Sequence, residues 1–251
     1  MRWVFAAFLL ASPVAHAEDE AQRIAFSEGR YHEAVLLSAT QPSADNLAFS
    51  ARSLLAEAVS DPGFIPPPHL LDDAEAKARE ALTLEPDHVE ARLQLAIALS
   101  LKARPLSNRA AMRTGYGDEA KALADAALRD EPDNTYAHGF LAVWHLEVRR
   151  RGGAIGGSVM GASVRKARRH YSAAIQSAPD DASIHWQYAR ALTALDAKRY
   201  REEITSSLDA ALGCQTETQL EDVMQRRAKA LRDELETKSW KRAEKTAAQM
   251  L

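Results

Sequence analysis

Cysteine is almost missing: Cys214 is the only one in 251 residues, so no internal disulfide can staple the chain. The thiol reads as a small apolar residue near a helix end. Aromatic residues make up only 6% of the sequence. No stretch alternates Val, Ile, Thr and Tyr with polar residues, which removes a sheet-based core from consideration. A strong charge imbalance is absent too, since 32 Lys and Arg stand against 35 Asp and Glu, a net charge of −3. Nucleic-acid binders carry a basic excess that displaces phosphate counterions, and bulk charge here argues against that class. H-E-x-x-H, G-x-S-x-G and the P-loop lysine signature are all lacking. Beyond the N-terminus no apolar run approaches the roughly 20 residues that cross a bilayer.

What is present is Ala and Leu, inside an apolar fraction of 46%. Both are strong helix formers, and the expected fold is all-α. The N-terminus carries a different signal. Arg2 gives a short positive region, residues 4–11 are apolar, Ser12 and Pro13 break the run, and Ala15, His16 and Ala17 form an A-x-A site before Glu18, Asp19 and Glu20. That is the pattern of a cleaved signal peptide, expected over residues 1–17. No cysteine adjoins the site, so no lipoprotein anchor is expected. With the Ala- and Arg-rich composition of a bacterial chain, the mature protein is expected in the periplasm.

The chain repeats itself. Ala74, Ala78, Ala81, Leu82, Pro86 and Asp87 recur in register as Ala120, Ala124, Ala127, Leu128, Pro132 and Asp133, and again as Ala167, Tyr171, Ala174, Ile175, Pro179 and Asp180. Offsets of four and three set these residues on one helical face. Small side chains there let a neighbouring helix come close. The Pro ends the helix, and the Asp is placed to cap the next one. A second helix follows each Pro-Asp, with the packing faces Leu95, Ala96, Leu99; Leu141, Ala142, His145; and Tyr188, Ala189, Leu192.

Together these residues resemble the tetratricopeptide (TPR) repeat, and Gly29, Tyr31 and Ala34 match its inter-helix turn in a degenerate first unit where Pro42 arrives early. The resemblance implies a right-handed helical solenoid of four to five helix pairs over residues 18–215. The spacing departs from it. Pro86 to Pro132 is 46 residues and Pro132 to Pro179 is 47, against about 34 for a standard unit. HEAT and armadillo units have about the observed length, but the excess can be located between the two helices of each unit, at 61–70, 101–116 and 147–161. Residues 216–251 lack Pro and Gly and follow a helical period through Leu220, Val223, Met224, Ala228 and Leu231. They read as a capping helix, broken near Lys238, on the exposed end of the stack.

Candidate sites are of three kinds. In TPR proteins the first helix of each pair lines a concave groove. The resemblance places Phe49, Arg52, Leu93, Ile97, Tyr136, Phe140, Val143, Trp186 and Arg190 there, an apolar and aromatic trough suited to an extended peptide or amphipathic helix. The Lys/Asn clamp for a terminal carboxylate is not among them. The insert at 152–161 is glycine-rich but follows a helix rather than a strand, so it is no phosphate loop. It is bracketed by Arg149, Arg150, Arg151 and Arg165, with no acidic residue between Glu147 and Asp180. The helix expected from Ser163 offers its N-terminus to an anion or lipid headgroup; a solvated basic turn is the plain alternative. Ile155, Val159 and Met160 in this insert either fold back or dock a partner. His138 and His145 share a helix face with Glu147 nearby, but no third ligand can be named, so no metal is expected; no cofactor or catalytic residue is expected either.

The function expected from this reading is a non-catalytic periplasmic scaffold that binds a protein or peptide in its groove and organises an envelope complex. The alternative is a TPR component of a transport system that binds a small hydrophobic ligand. Peripheral membrane contact through the basic insert is a further expectation, and nucleic acid is not.

Overall fold

The computed structural model describes residues 13–41 and 43–251, all-helical among those residues. Residues 1–12, which carry the positive region and apolar run, and Pro42 lie outside them. The helices are α1 (Pro13–Ser27), α2 (Tyr31–Ser38), α3 (Ala44–Ser60), α4 (Pro68–Leu84), α5 (Val89–Ala103), α6 (Asn108–Thr114), α7 (Tyr116–Asp130), α8 (Thr135–Val159), α9 (Val164–Ser177), α10 (Ala182–Asp196), α11 (Arg201–Gly213), α12 (Gln219–Thr237) and α13 (Trp240–Gln249). No helix among the described residues is long and apolar enough to cross a membrane.

The pairs α1–α2, α3–α4, α5–α7, α8–α9 and α10–α11 pack as helical hairpins, and first helices also pack on those of the next unit, α3 on α5 and α8 on α10. The repeat residues explain this. Ala74, Ala78, Ala81, Ala120, Ala124, Ala127, Ala167 and Ala174 are all fully buried, so the second helices approach their neighbours with no side chain between backbones beyond a methyl group. Where the third unit has Tyr171 in place of Ala, its ring stacks on Tyr188 at 3.8 Å and 5°.

The Pro-Asp steps differ from expectation in one respect. Each helix does end two residues before its Pro, but the capping oxygen or nitrogen comes from the residue after the Asp: His88 Nδ1 accepts from Ala91, Asn134 Oδ1 from Ala137 and Asp181 Oδ1 from Ile184. The reason is a tight turn. The His88 amide donates to Glu85 and the Asn134 amide to Glu131, which puts Pro and Asp at the two central turn positions, where proline's fixed φ is favourable. The cap moves one residue on.

All three inserts fall between the two helices of a pair. The first is an extended connection, the second holds the short helix α6, and in the third α8 runs on to Val159 across a kink at Gly153, φ +61°. Arg151 donates to the Ala103 and Leu106 carbonyls, and Asn108 donates to the Arg151 carbonyl. These bonds hold the second and third inserts side by side.

The C-terminal segment forms two helices, with Lys238 extended between them where the break was expected. The Thr218–Glu221 capping box starts α12. Beyond packing on α10 and α11, α12 reaches α1 and α3, while α13 lies on α10. They therefore return across the side formed by first helices. Arg227 donates to the Asp61 carbonyl at 3.1 Å and its guanidinium lies 4.9 Å from the centre of the Phe64 ring. Phe64 has φ +56°, a conformation L side chains seldom adopt; its packing against the core that includes α12 holds it there. Gly29, φ +78°, turns α1 into α2 directly against Gln219, whose Cγ lies 2.7 Å from where a Cβ would stand.

Candidate functional site

The inner side is built by the first helices, and its C-terminal half is closed by the chain itself. Trp186 is fully buried and Arg190 is 1% exposed. The Trp186 indole donates to the Leu251 carbonyl at 3.1 Å, Arg227 donates to the same oxygen at 2.9 Å, and Arg104 donates to the Met250 carbonyl at 2.7 Å. Met250 and Leu251 are buried. Two guanidinium groups and one indole thus capture main-chain carbonyls of the segment after α13, which leave their own helix without partners at its C-terminal end.

One carboxylate neutralises this cationic cluster. Glu147 accepts from Arg190 at 3.0 Å and Arg150 at 2.8 Å. Burial pushes its carboxyl up, but Arg190, Arg150 and Arg104 together outweigh burial and hold it at about 2. Arg104 is pushed down to about 9 by burial, with Arg190 adding to the effect and Glu147 opposing it. Glu147 is therefore committed to the arginines and not to the histidines beside it in sequence.

The remaining groove residues divide. Leu93 is buried, and Phe140 packs into the cores that join α5 and α7 to α8. Ile97 and Val143 pack against core clusters as well. Open to solvent is the N-terminal part. Tyr136 is 59% exposed. Arg52 lies 5.7 Å from the Phe49 ring centre and 6.0 Å from that of Phe26, while its guanidinium meets Glu90 at 2.7 Å. Desolvation raises the Tyr136 phenol, Asp181, Glu221 and Glu90 add to that, and Arg52 opposes it. Phe26, Phe49, Arg52 and Glu90 form one patch, contributed by α1, α3 and α5, and Tyr136 on α8 lies within electrostatic reach of Arg52 and Glu90. Phe26 was not in the sequence-derived groove set; the degenerate first unit hid its register.

The histidines meet a third that the sequence did not single out. His138 Nδ1 and His170 Nδ1 lie 2.9 Å apart, His138 Nε2 faces the Pro132 carbonyl at 3.0 Å, and His170 stacks on His145 at 5.6 Å. His170 comes from α9, so no spacing on α8 could reveal it. Among the described residues no group of three His, Cys, Asp or Glu is arranged to hold a metal ion. Burial pushes His145 down to about 4, with His170 adding; burial and His138 do the same to His170, also to about 4. The His145 Nδ1 is buried without a hydrogen-bond partner.

Of the basic-insert residues, Arg150 and Arg151 are used structurally, as above. Arg149 donates to the Gly153 carbonyl, Ser163 caps α9 through the Lys166 amide, and Arg165 is exposed. Arg149, Ser163, Lys166, Arg168, Arg199 and Tyr200 line an open cavity of about 740 Å³. Ile155 and Val159 do not fold back: they are 81% and 79% exposed, although Gly157 in the same turn is buried beside Arg149 and the Ala162 carbonyl. Met160 is half-buried, with its methyl near Gly117. Cys214 is half-buried beyond α11, its thiol donating to the Ala210 carbonyl and raised by burial. Compared with protein-family models and with curated proteins, the chain matches none.

Proposed function

We propose that the protein is an exported, non-catalytic adaptor of the TPR type, and that a partner polypeptide binds the part of the inner side that α12 and α13 leave open. One observation carries this reading: the patch of Phe26, Phe49, Arg52 and Glu90, with Tyr136 within electrostatic reach of it. Tyr and Arg dominate binding energy at protein interfaces. Arg52 is already oriented by two rings and one carboxylate, so little side-chain freedom is lost when a partner arrives. The periplasmic assignment rests on the N-terminal pattern alone, and the TPR assignment on the three repeats in register.

Photo-crosslinking in intact cells tests the reading, with the reactive residue at position 136 and controls at Glu80 and Arg129, which are exposed on second helices. A discrete protein adduct from position 136 and none from the controls is the expected result. Equal labelling at all three positions, or none at 136, would sink it.

A further inference from the structure

The connections between first and second helices emerge on one edge of the array, and from the second insert onward that edge is basic and carries apolar tips. No acidic residue occurs in 101–117, 148–179 or 197–201. Arg109, Arg113, Arg165, Lys198 and Arg199 are exposed there, and none of them has an ion-pair partner among the described residues. Lys102, by contrast, is tied to Asp72 and Glu75 and marks where the basic stretch begins. Met112 is 77% exposed and stands among these cations on α6, as Ile155 and Val159 do at the end of α8. Adjacency is fixed by the Asn108–Arg151 bonds and by the cavity that joins Arg149, Lys166 and Arg168 to Arg199 and Tyr200.

Exposed apolar side chains of this size are unfavourable in water and mark interaction sites when grouped. A ring of cations around them selects a partner that is anionic at its surface and apolar just beneath, which is a bilayer of anionic lipid. We propose that this edge seats the protein on such a bilayer, with Met112, Ile155 and Val159 entering the headgroup boundary and the unpaired cations at phosphate level. The patch on the inner side stays clear of the membrane, because its Glu90 and the nearby Tyr136 sit at the N-terminal ends of α5 and α8, opposite the ends from which the inserts emerge.

Co-sedimentation of the full chain with vesicles tests this, comparing phosphatidylcholine containing phosphatidylglycerol with phosphatidylcholine alone. Binding to the anionic vesicles only is expected, and it weakens as salt is added. Arg109→Gln with Arg113→Gln should reduce it roughly thirty-fold, from about 1 kcal/mol per cation near the surface. Ile155→Asp with Val159→Asp should abolish it without a change in thermal unfolding, because both side chains are solvent-exposed in the folded chain. No binding to anionic vesicles, or binding untouched by both double variants, would overturn the proposal. So would sensitivity to the arginine variants alone, which would assign the edge to a soluble polyanion such as an acidic protein.

Discussion

Glu147→Gln removes the one carboxylate that balances Arg190, Arg150 and Arg104. The magnitude follows from linkage. The carboxyl is held at about 2 against an ordinary 4.5, and each unit corresponds to about 1.4 kcal/mol, so ionised Glu147 stabilises the fold by about 3 kcal/mol at neutral pH. That sits at the low end of about 3–5 kcal/mol for breaking a buried pair, consistent with a side chain that keeps 23% exposure. For a chain of this length the loss corresponds to a fall in Tm of about 6–12 °C. The sign with pH is fixed. Because the folded value is depressed, the contribution is complete above pH 4.5 and disappears as pH falls toward 2. Urea unfolding of the wild type and of Glu147→Gln should therefore show a gap at pH 7 that narrows below 4.5. Adding Arg190→Met should recover part of the loss by removing an uncompensated cation. A gap below about 1 kcal/mol at pH 7, or one that does not change with pH, would refute the reasoning.

Other perturbations reach different parts of the fold. His145 is held at about 4 by burial and titrates near 6.5 when unfolded, so the unfolded chain takes up the proton first. Stability present above pH 6.5 is lost as pH falls to 4, by about 3 kcal/mol for this residue, and His145→Leu should reduce the fall of the urea midpoint across that window without abolishing it, because His170 is held at about 4 as well. Gly29→Ala forces a Cβ onto Gln219 at a positive φ and should cost about 1–3 kcal/mol; Gln219→Ala in the same chain should relieve the contact part of that cost, as a double-mutant cycle would show. Ala124→Leu drives a branched side chain into a fully buried position and should lower stability by about 1–3 kcal/mol in thermal unfolding.

Much of the helical order was legible because it depends on local rules. Alanines at offsets of three and four define a close-packed face, and a Pro two residues past the last helical turn ends each second helix. The cap position was off by one residue since the turn around Pro and Asp is itself hydrogen-bonded. Helix α6 went unread: seven residues from Asn108 to Thr114 are too few for a period, and only the Ser107 cap announces it. The course of α8 through Gly152 was missed because glycines weaken a helix without ending it. The site was less legible than the fold. Trp186 and Arg190 occupy inner positions of their unit in the sequence, and what lies against them is decided by α13, a long way off in the chain. A hint was present in Met250 and Leu251, an apolar pair after a charged helix, and in a buried-type Trp placed on a face expected to be wet. His170 gave none, for the pairing of α8 with α9 sets its register.

Helices α12 and α13 close the C-terminal half of the inner side and leave the side chain of Tyr136 exposed. Hydrogen exchange read by mass spectrometry tests this closure most directly. Amides of α12 and α13 should exchange as slowly as those of α10, with Arg227→Met accelerating α12 and the 61–67 connection together. Exchange of α12 and α13 at the rate of unprotected helices, with α10 still slow, would contradict it.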